Sequence, residues 1–144
     1  MKNRLLLIAT ALVLAVGPLA RAADAETELG AKMEKMSGAF RAVRRQITDA
    51  SKNADTLAKL ATIRENAEAS MKFEPAKKSE IPTAEQAKFV AGYKADMKKF
   101  LELLGKVEAA VKANKNEEAD KILKEVGDAQ KAGHKQYKKE DKKK

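Results

Sequence analysis

Apolar residues recur along most of this chain at alternating intervals of three and four. The first set is Leu29, Met33, Met36, Phe40, Val43 and Ile47, a single stripe along an α-helix. Asp24 or Thr27 can cap its start, and the short polar cluster TDASKN, Thr48 to Asn53, ends it. A second stripe reads Leu57, Leu60, Ile63 or Arg64, Ala67 and Met71, and stops before Pro75. The stretch FEPAKKSEIP, Phe73 to Pro82, holds two prolines and predicts the longest loop. TAEQ follows, Thr83 to Gln86, with the spacing of a capping box.

The third stripe is the most regular: Val90, Tyr93, Met97, Phe100, Leu104, Val107 and Val111, widened by Phe89 and Leu101. It ends at KANKN, where Asn116 can cap a fourth helix. That helix carries Ala119, Leu123, Val126, Gln130, His134 and Tyr137 on one side, with Ile122 and Ala129 flanking. Strand patterning is almost absent. The turns between helices one and two and between three and four are short, so these helices are expected as antiparallel neighbours. The loop between two and three, roughly ten residues, is long enough to return the chain locally as well. The expected fold is all-α, an antiparallel up-down-up-down four-helix bundle.

The segment before the first stripe reads differently. Lys2 and Arg4 precede the apolar run LLLIATALVLAVGPLA, and Ala20-Arg21-Ala22 follows it. A charged start, a short apolar run and an A-x-A pattern describe an export signal. Gly17 and Pro18 interrupt the run, which is short for a membrane stop. Residues 1–22 are thus expected to be a signal peptide, with 23–144 as one helical domain in the periplasm; a retained N-terminal anchor is the rival reading. No membrane span is expected after cleavage. With no cysteine in the chain, stability has to come from packing rather than disulfides.

Losing the signal removes three basic residues and no acid, so the formal charge of +9 falls to +6. Much of the excess sits in the last seven residues, KKEDKKK. Nucleic acid is not an expected partner of an exported protein. The basic end suits an acidic partner or anionic lipid, although such runs are usually solvated ends.

His134 is the single histidine. In an antiparallel bundle the beginning of helix one lies beside the end of helix four. Met33 and His134 then fall about 10 Å from the same end, on stripes that face inward. A thioether and an imidazole facing across a core can hold the iron of a haem slotted between the helices. Each residue also has an ordinary reading. A lone histidine near a basic terminus is commonly a surface residue, and a methionine on an apolar stripe is commonly filler; Met36 and Met97 are as well placed for the core.

Two local stretches carry a family resemblance. LGAKMEKM, Leu29 to Met36, is similar to the first helix of the cytochrome b562 and cytochrome c′ group, and VGDAQKAGHKQYKKE, Val126 to Glu140, is similar to its last helix. These are exported four-helix-bundle haem proteins. Cytochrome b562 is itself a standard example of such a bundle, so the resemblance and the helical reading are not independent. The resemblance implies Met33 as axial sulfur, His134 as axial nitrogen, and Tyr137 as the aromatic three residues beyond. The c-type members attach haem through Cys-x-x-Cys-His. Here Gln130 and Gly133 occupy the cysteine positions, so one haem b per chain, held non-covalently, is expected. Some b-type relatives carry an arginine where this chain has Gln130; Lys138 or Lys131 can supply a cation for a propionate instead. One turn either side of the ligands, the expected pocket residues are Leu29, Met36 and Phe40 from helix one, Tyr93, Met97, Phe100 and Leu101 from helix three, and Val126 and Gln130 from helix four. Each also serves as plain bundle core. Gly30 and Gly133 flank the two ligands, where a close approach of the macrocycle would favour a residue without a side chain.

The function implied is electron transfer by a monomer with an acidic redox partner, not an enzyme activity. No paired carboxylates, nucleophile-base set or glycine-rich phosphate loop is evident, and one histidine is too few for a di-iron carboxylate bundle. Two other readings fit the same residues: a haem-free envelope bundle that binds proteins, and a five-coordinate haem protein that binds a gas.

Overall fold

The computed structural model describes residues 27–139. The expected signal peptide with its cleavage point, Asp24 as an alternative cap, and residues 140–144 lie outside them. Four helices make up the fold: α1 Glu28–Gln46, α2 Asn53–Ser70, α3 Thr83–Lys112 and α4 Asn116–Tyr137. Short 3₁₀ turns occupy Ala50–Lys52 and Ala76–Glu80. Among the described residues there is no strand, and no helix is long and apolar enough to cross a membrane.

Each stripe buries where the intervals place it. Val43 from α1, Leu60 and Ile63 from α2, Leu104 and Val107 from α3, and Leu123 and Val126 from α4 are all 0–2% exposed and belong to one core. Full burial of such a side chain is worth about 1.5–3 kcal/mol, so this shared layer dominates the stability of the fold. The choice left open on α2 falls to Ile63. Arg64 turns to the side, where its Nε donates to Glu108 Oε1 on α3 at 2.9 Å.

Thr27 caps α1 as expected, its Oγ1 accepting from the Gly30 backbone N–H at 3.0 Å. After α1 the Asp49 carboxylate accepts from the Ser51 backbone N–H at 3.0 Å and from the Ser51 hydroxyl at 2.6 Å, and these bonds hold its pKa below the ordinary carboxylate value. They turn the chain into α2, which begins at Asn53.

Two expected caps do not form. Thr83 makes no capping bond, and Gln86 donates to the Ile81 carbonyl at 3.0 Å instead of reaching back to Thr83. The start of α3 is closed by backbone alone, Glu85 N–H to the Pro82 carbonyl at 2.8 Å, because Pro82 already fixes the approach. Asn116 likewise makes no capping bond to its own helix. Its side chain is buried and reaches across: Nδ2 donates to the Ile47 carbonyl at 2.6 Å and to Asn53 Oδ1 at 2.8 Å. Asn53 Nδ2 in turn donates to Asn114 Oδ1 at 2.9 Å and to the Val111 carbonyl at 3.2 Å. Asn114 adopts a left-handed φ of 57°, a conformation asparagine tolerates better than most residues, and this turns α3 into α4.

These asparagines bring the end of α1, the start of α2, the end of α3 and the start of α4 to one end of the molecule. At the other end, the Tyr93 hydroxyl near the start of α3 donates to the Ser70 carbonyl at the end of α2, at 3.1 Å. These are the relations that antiparallel neighbours make. Along the seam between α1 and α4, the Asn116–Ile47 bond closes one end. Phe40 packs beside Gly127 further along, where a Cβ on the glycine would stand 3.4 Å from Phe40 Cζ. Beyond Phe40 the seam opens into a cavity.

Candidate functional site

The cavity has a volume of 580 Å³, within the range of a small-molecule or cofactor pocket. Leu29, Gly30, Met33, Met36 and Phe40 of α1 line it, as do Tyr93, Met97 and Phe100 of α3 and Gln130, Gly133, His134 and Tyr137 of α4, with Lys138 just beyond that helix. Met33 and His134, expected to share one end of the bundle, therefore do share one pocket.

They differ in setting. Met33 is half-buried and packs against the core. His134 is exposed, whereas its stripe position predicts an inward-facing residue. The cavity is partly open to solvent, and His134 on its wall remains exposed. The protein wall still removes enough water from the imidazole to lower its pKa below 6.5, and the positive charge of Lys138 lowers it further. The shift favours the neutral ring, the form that can give a lone pair to a metal.

Val126 is not part of the wall. It is fully buried among the core residues and outside the cavity lining. Leu101 is also outside the lining and packs on the core. Lys131 faces away, paired with Asp128 at 3.4 Å; of the two lysines expected to serve a propionate, Lys138 is the one at the cavity.

Several wall residues carry no ligand signature in the sequence. Pro75 and Ala76 come from the loop before α3, and Pro75 is buried. Lys139 also lines the rim, its Nζ 3.5 Å from Glu80 Oε1. Asp96 of α3 lies between stripe positions and enters the wall as a hydrogen-bond acceptor, taking the Tyr137 hydroxyl at 2.7 Å. The aromatic residues beside it pack edge to face, Tyr137 against Phe89 at 5.2 Å and against Tyr93 at 5.3 Å between ring centres. Burial pushes the Tyr93 phenol from 10.0 up to about 12. Tyr137 is raised well above 10.0, by burial first and then by the Asp96 carboxylate it donates to.

The donors on the wall are the thioethers of Met33, Met36 and Met97, the His134 imidazole, the carboxylates of Glu34 and Asp96 and, at the rim, ammonium groups; the rest of the wall is largely apolar. Among the described residues no three histidine, aspartate or glutamate side chains gather as they would around a bare metal ion. Thioether and imidazole donors on a largely apolar wall suit an iron already held in a macrocycle. Beside Gly133 there is open space, with nothing within 4 Å of where a Cβ would lie, and the rim lysines suit carboxylates at the macrocycle's edge. The residues present fit a non-covalently held haem.

The family model of cytochrome b562 matches residues 28–138 of the chain. The chain belongs to the cytochrome b562 family. No curated protein and no solved structure matched it. The cytochrome b562 family is one of haem-binding electron carriers rather than enzymes, and membership implies a b-type haem. The match spans all four helices, so the cavity between α1 and α4 falls within the region that carries the family likeness.

Proposed function

We propose that this protein is a periplasmic electron carrier, acting as a monomer, that holds one haem b non-covalently between α1 and α4 with Met33 and His134 as its axial ligands. The observation that carries the reading is the presence of these two side chains on the walls of one apolar cavity, one on the first helix and one on the last. Bound there, the haem would supply one-electron chemistry, with a thioether opposite imidazole favouring the ferrous state and raising the potential.

The chain's own residues do the rest. Leu29, Met36, Phe40 and Phe100 line the cavity and would keep water from a bound haem. The lowered pKa of His134 keeps its ring nitrogen available. Lys138 and Lys139 line the cavity and would supply cations for the propionates. Lys77, whose Nζ reaches the Lys135 carbonyl at 3.4 Å, brings further positive charge to this end, and such a surface steers an acidic redox partner toward the haem edge. Export is supported by the basic start, apolar run and Ala20-Arg21-Ala22 pattern; the mature protein recovered from the periplasm should begin at Ala23.

The test is a visible spectrum of the purified protein with added haem, in both oxidation states. Sharp reduced bands and a low-spin ferric form are expected. Met33→Ala should turn the spectrum high-spin, and His134→Ala should weaken retention of the haem. Ready binding of carbon monoxide by the reduced wild type would replace this reading with a five-coordinate gas binder. An unchanged haem spectrum would leave a haem-free bundle.

A further inference from the structure

His134 sits in the last turn of α4. The Lys138 backbone N–H donates to the His134 carbonyl at 3.0 Å, and Lys138 is already extended (φ −78°, ψ 133°). Among the described residues no left-handed residue closes this end, and the bond from Lys77 Nζ to the Lys135 carbonyl is long, 3.4 Å, so the turn is prone to fray. From 131 to 138 the side chains offer little packing. Lys131, Ala132, His134, Lys135, Gln136 and Lys138 are exposed and Gly133 is half-buried; Tyr137 is the buried residue of the stretch.

What Tyr137 touches belongs to α3. Its ring lies against Phe89 and Tyr93, and its hydroxyl donates to Asp96 Oδ2 at 2.7 Å. The hydroxyl also lies close to the α3 backbone at Gly92, where a Cβ would stand only 3.2 Å from it. A side chain at that position would crowd the phenol. Tyr137 lies three positions after His134, so the two are neighbours on the helix surface.

We infer that Tyr137 is the positioning residue for His134: its phenol, anchored on Asp96, locks the last turn of α4 to α3 and fixes where the imidazole stands in the cavity wall. The inference rests on the reading of His134 as the residue the cavity presents to its ligand. A hydrogen bond to a charged acceptor is stronger than one between neutral groups. Tyr137→Phe removes that bond and keeps the ring in its aromatic contacts.

The experiment begins with the haem-free protein. Amide hydrogen exchange at Lys135 to Lys138 should rise at least roughly tenfold in Tyr137→Phe, while exchange at Leu123 stays as in the wild type. Asp96→Ala should give the same rise, and the double variant should add nothing further. As the chain holds one histidine, its ring resonances are unambiguous, and they should shift in both single variants. Unchanged exchange, unchanged ring resonances, or a rise shared equally by Leu123 overturns the inference.

Haem is then added. A low-spin wild type beside a partly high-spin Tyr137→Phe, with a displaced reduction potential, supports the positioning role. Faster exchange with wild-type spectrum and potential overturns it and leaves only a structural bond. A wild type that takes up no haem defeats the electron-carrier proposal, and the haem-free measurements alone then decide on Tyr137.

Discussion

The side-chain amide of Asn116, the first residue of α4, donates to the backbone carbonyl of Ile47, the C-cap of α1, at 2.6 Å. That carbonyl is one of the orphan acceptors at a helix end, and Asn116 is buried beside it. Asn116→Ala strands the acceptor and also removes the donor to Asn53 Oδ1. It should cost about 1–3 kcal/mol in denaturant unfolding of the haem-free protein. Asn116→Asp should cost more, because a carboxylate oxygen would face the Ile47 carbonyl. A loss below about 0.5 kcal/mol for the alanine variant would remove this contact from the forces that hold the fold.

Two helical glycines separate stability from cofactor binding. Nothing lies within 4 Å of a Cβ built at Gly38 or at Gly133. Alanine at either place should stabilise the haem-free protein by about 0.5–1 kcal/mol through helix propensity. Only Gly133 lines the cavity, so Gly133→Ala should also reduce haem retention while Gly38→Ala leaves it unchanged. Parallel melting and haem-transfer measurements check the pair, and equal retention in both variants would remove Gly133 from the binding site.

The chain holds two tyrosines, and both phenols are raised. Phenolate absorbance should therefore show no ionisation near pH 10 while the protein is folded. Tyr93 keeps its proton to about 12. The unfolded chain loses it near 10. Between these values the folded state binds more protons, so stability must fall as pH rises through the window. A tyrosine step at the ordinary value would show that one ring is not buried in solution.

His134 shows the opposite sense. Its folded pKa lies below 6.5, through partial desolvation first and then the charge of Lys138. As pH falls below 6.5, the unfolded chain takes up this proton before the folded one does. The stability that the shift contributes is present above 6.5 and is lost as pH falls through the folded value. An NMR titration of the haem-free protein should give a midpoint under 6.5, and Lys138→Gln should move it part of the way back. A midpoint at or above 6.5 would contradict the desolvated setting of the ring.

Most of the helical architecture was legible in the spacing, because burial of one face imposes the same interval on every core helix. Val43, Leu60, Leu104 and Leu123 all sit on their predicted stripes and are all buried. Side-chain hydrogen bonds were harder to read. Asn116 has the right type and place for a cap, but only the fold shows that the Ile47 carbonyl lies within its reach. The TAEQ box failed for a similar reason: Pro82 set the chain direction, and Gln86 found the Ile81 carbonyl. In the pocket, periodicity found Met33, His134 and most of the walls. It missed Asp96, which lies off the stripe and joins the site through the tip of Tyr137, and Pro75, which comes from a loop. It also turned His134 inward, since a stripe position records a direction from the helix axis and not how far the neighbouring helix stands away.

The α1–α4 seam is fastened at one end and left apart at the other. The layer from Val43 to Val126 lies on the fastened side, and the slot between Met33 and His134 lies beyond Phe40. A flat guest can slide in or out edgewise, like a coin at the free end of a clip, without parting the hydrophobic layer. If haem enters there as proposed, the layer from Val43 to Val126 need not be disturbed by its passage.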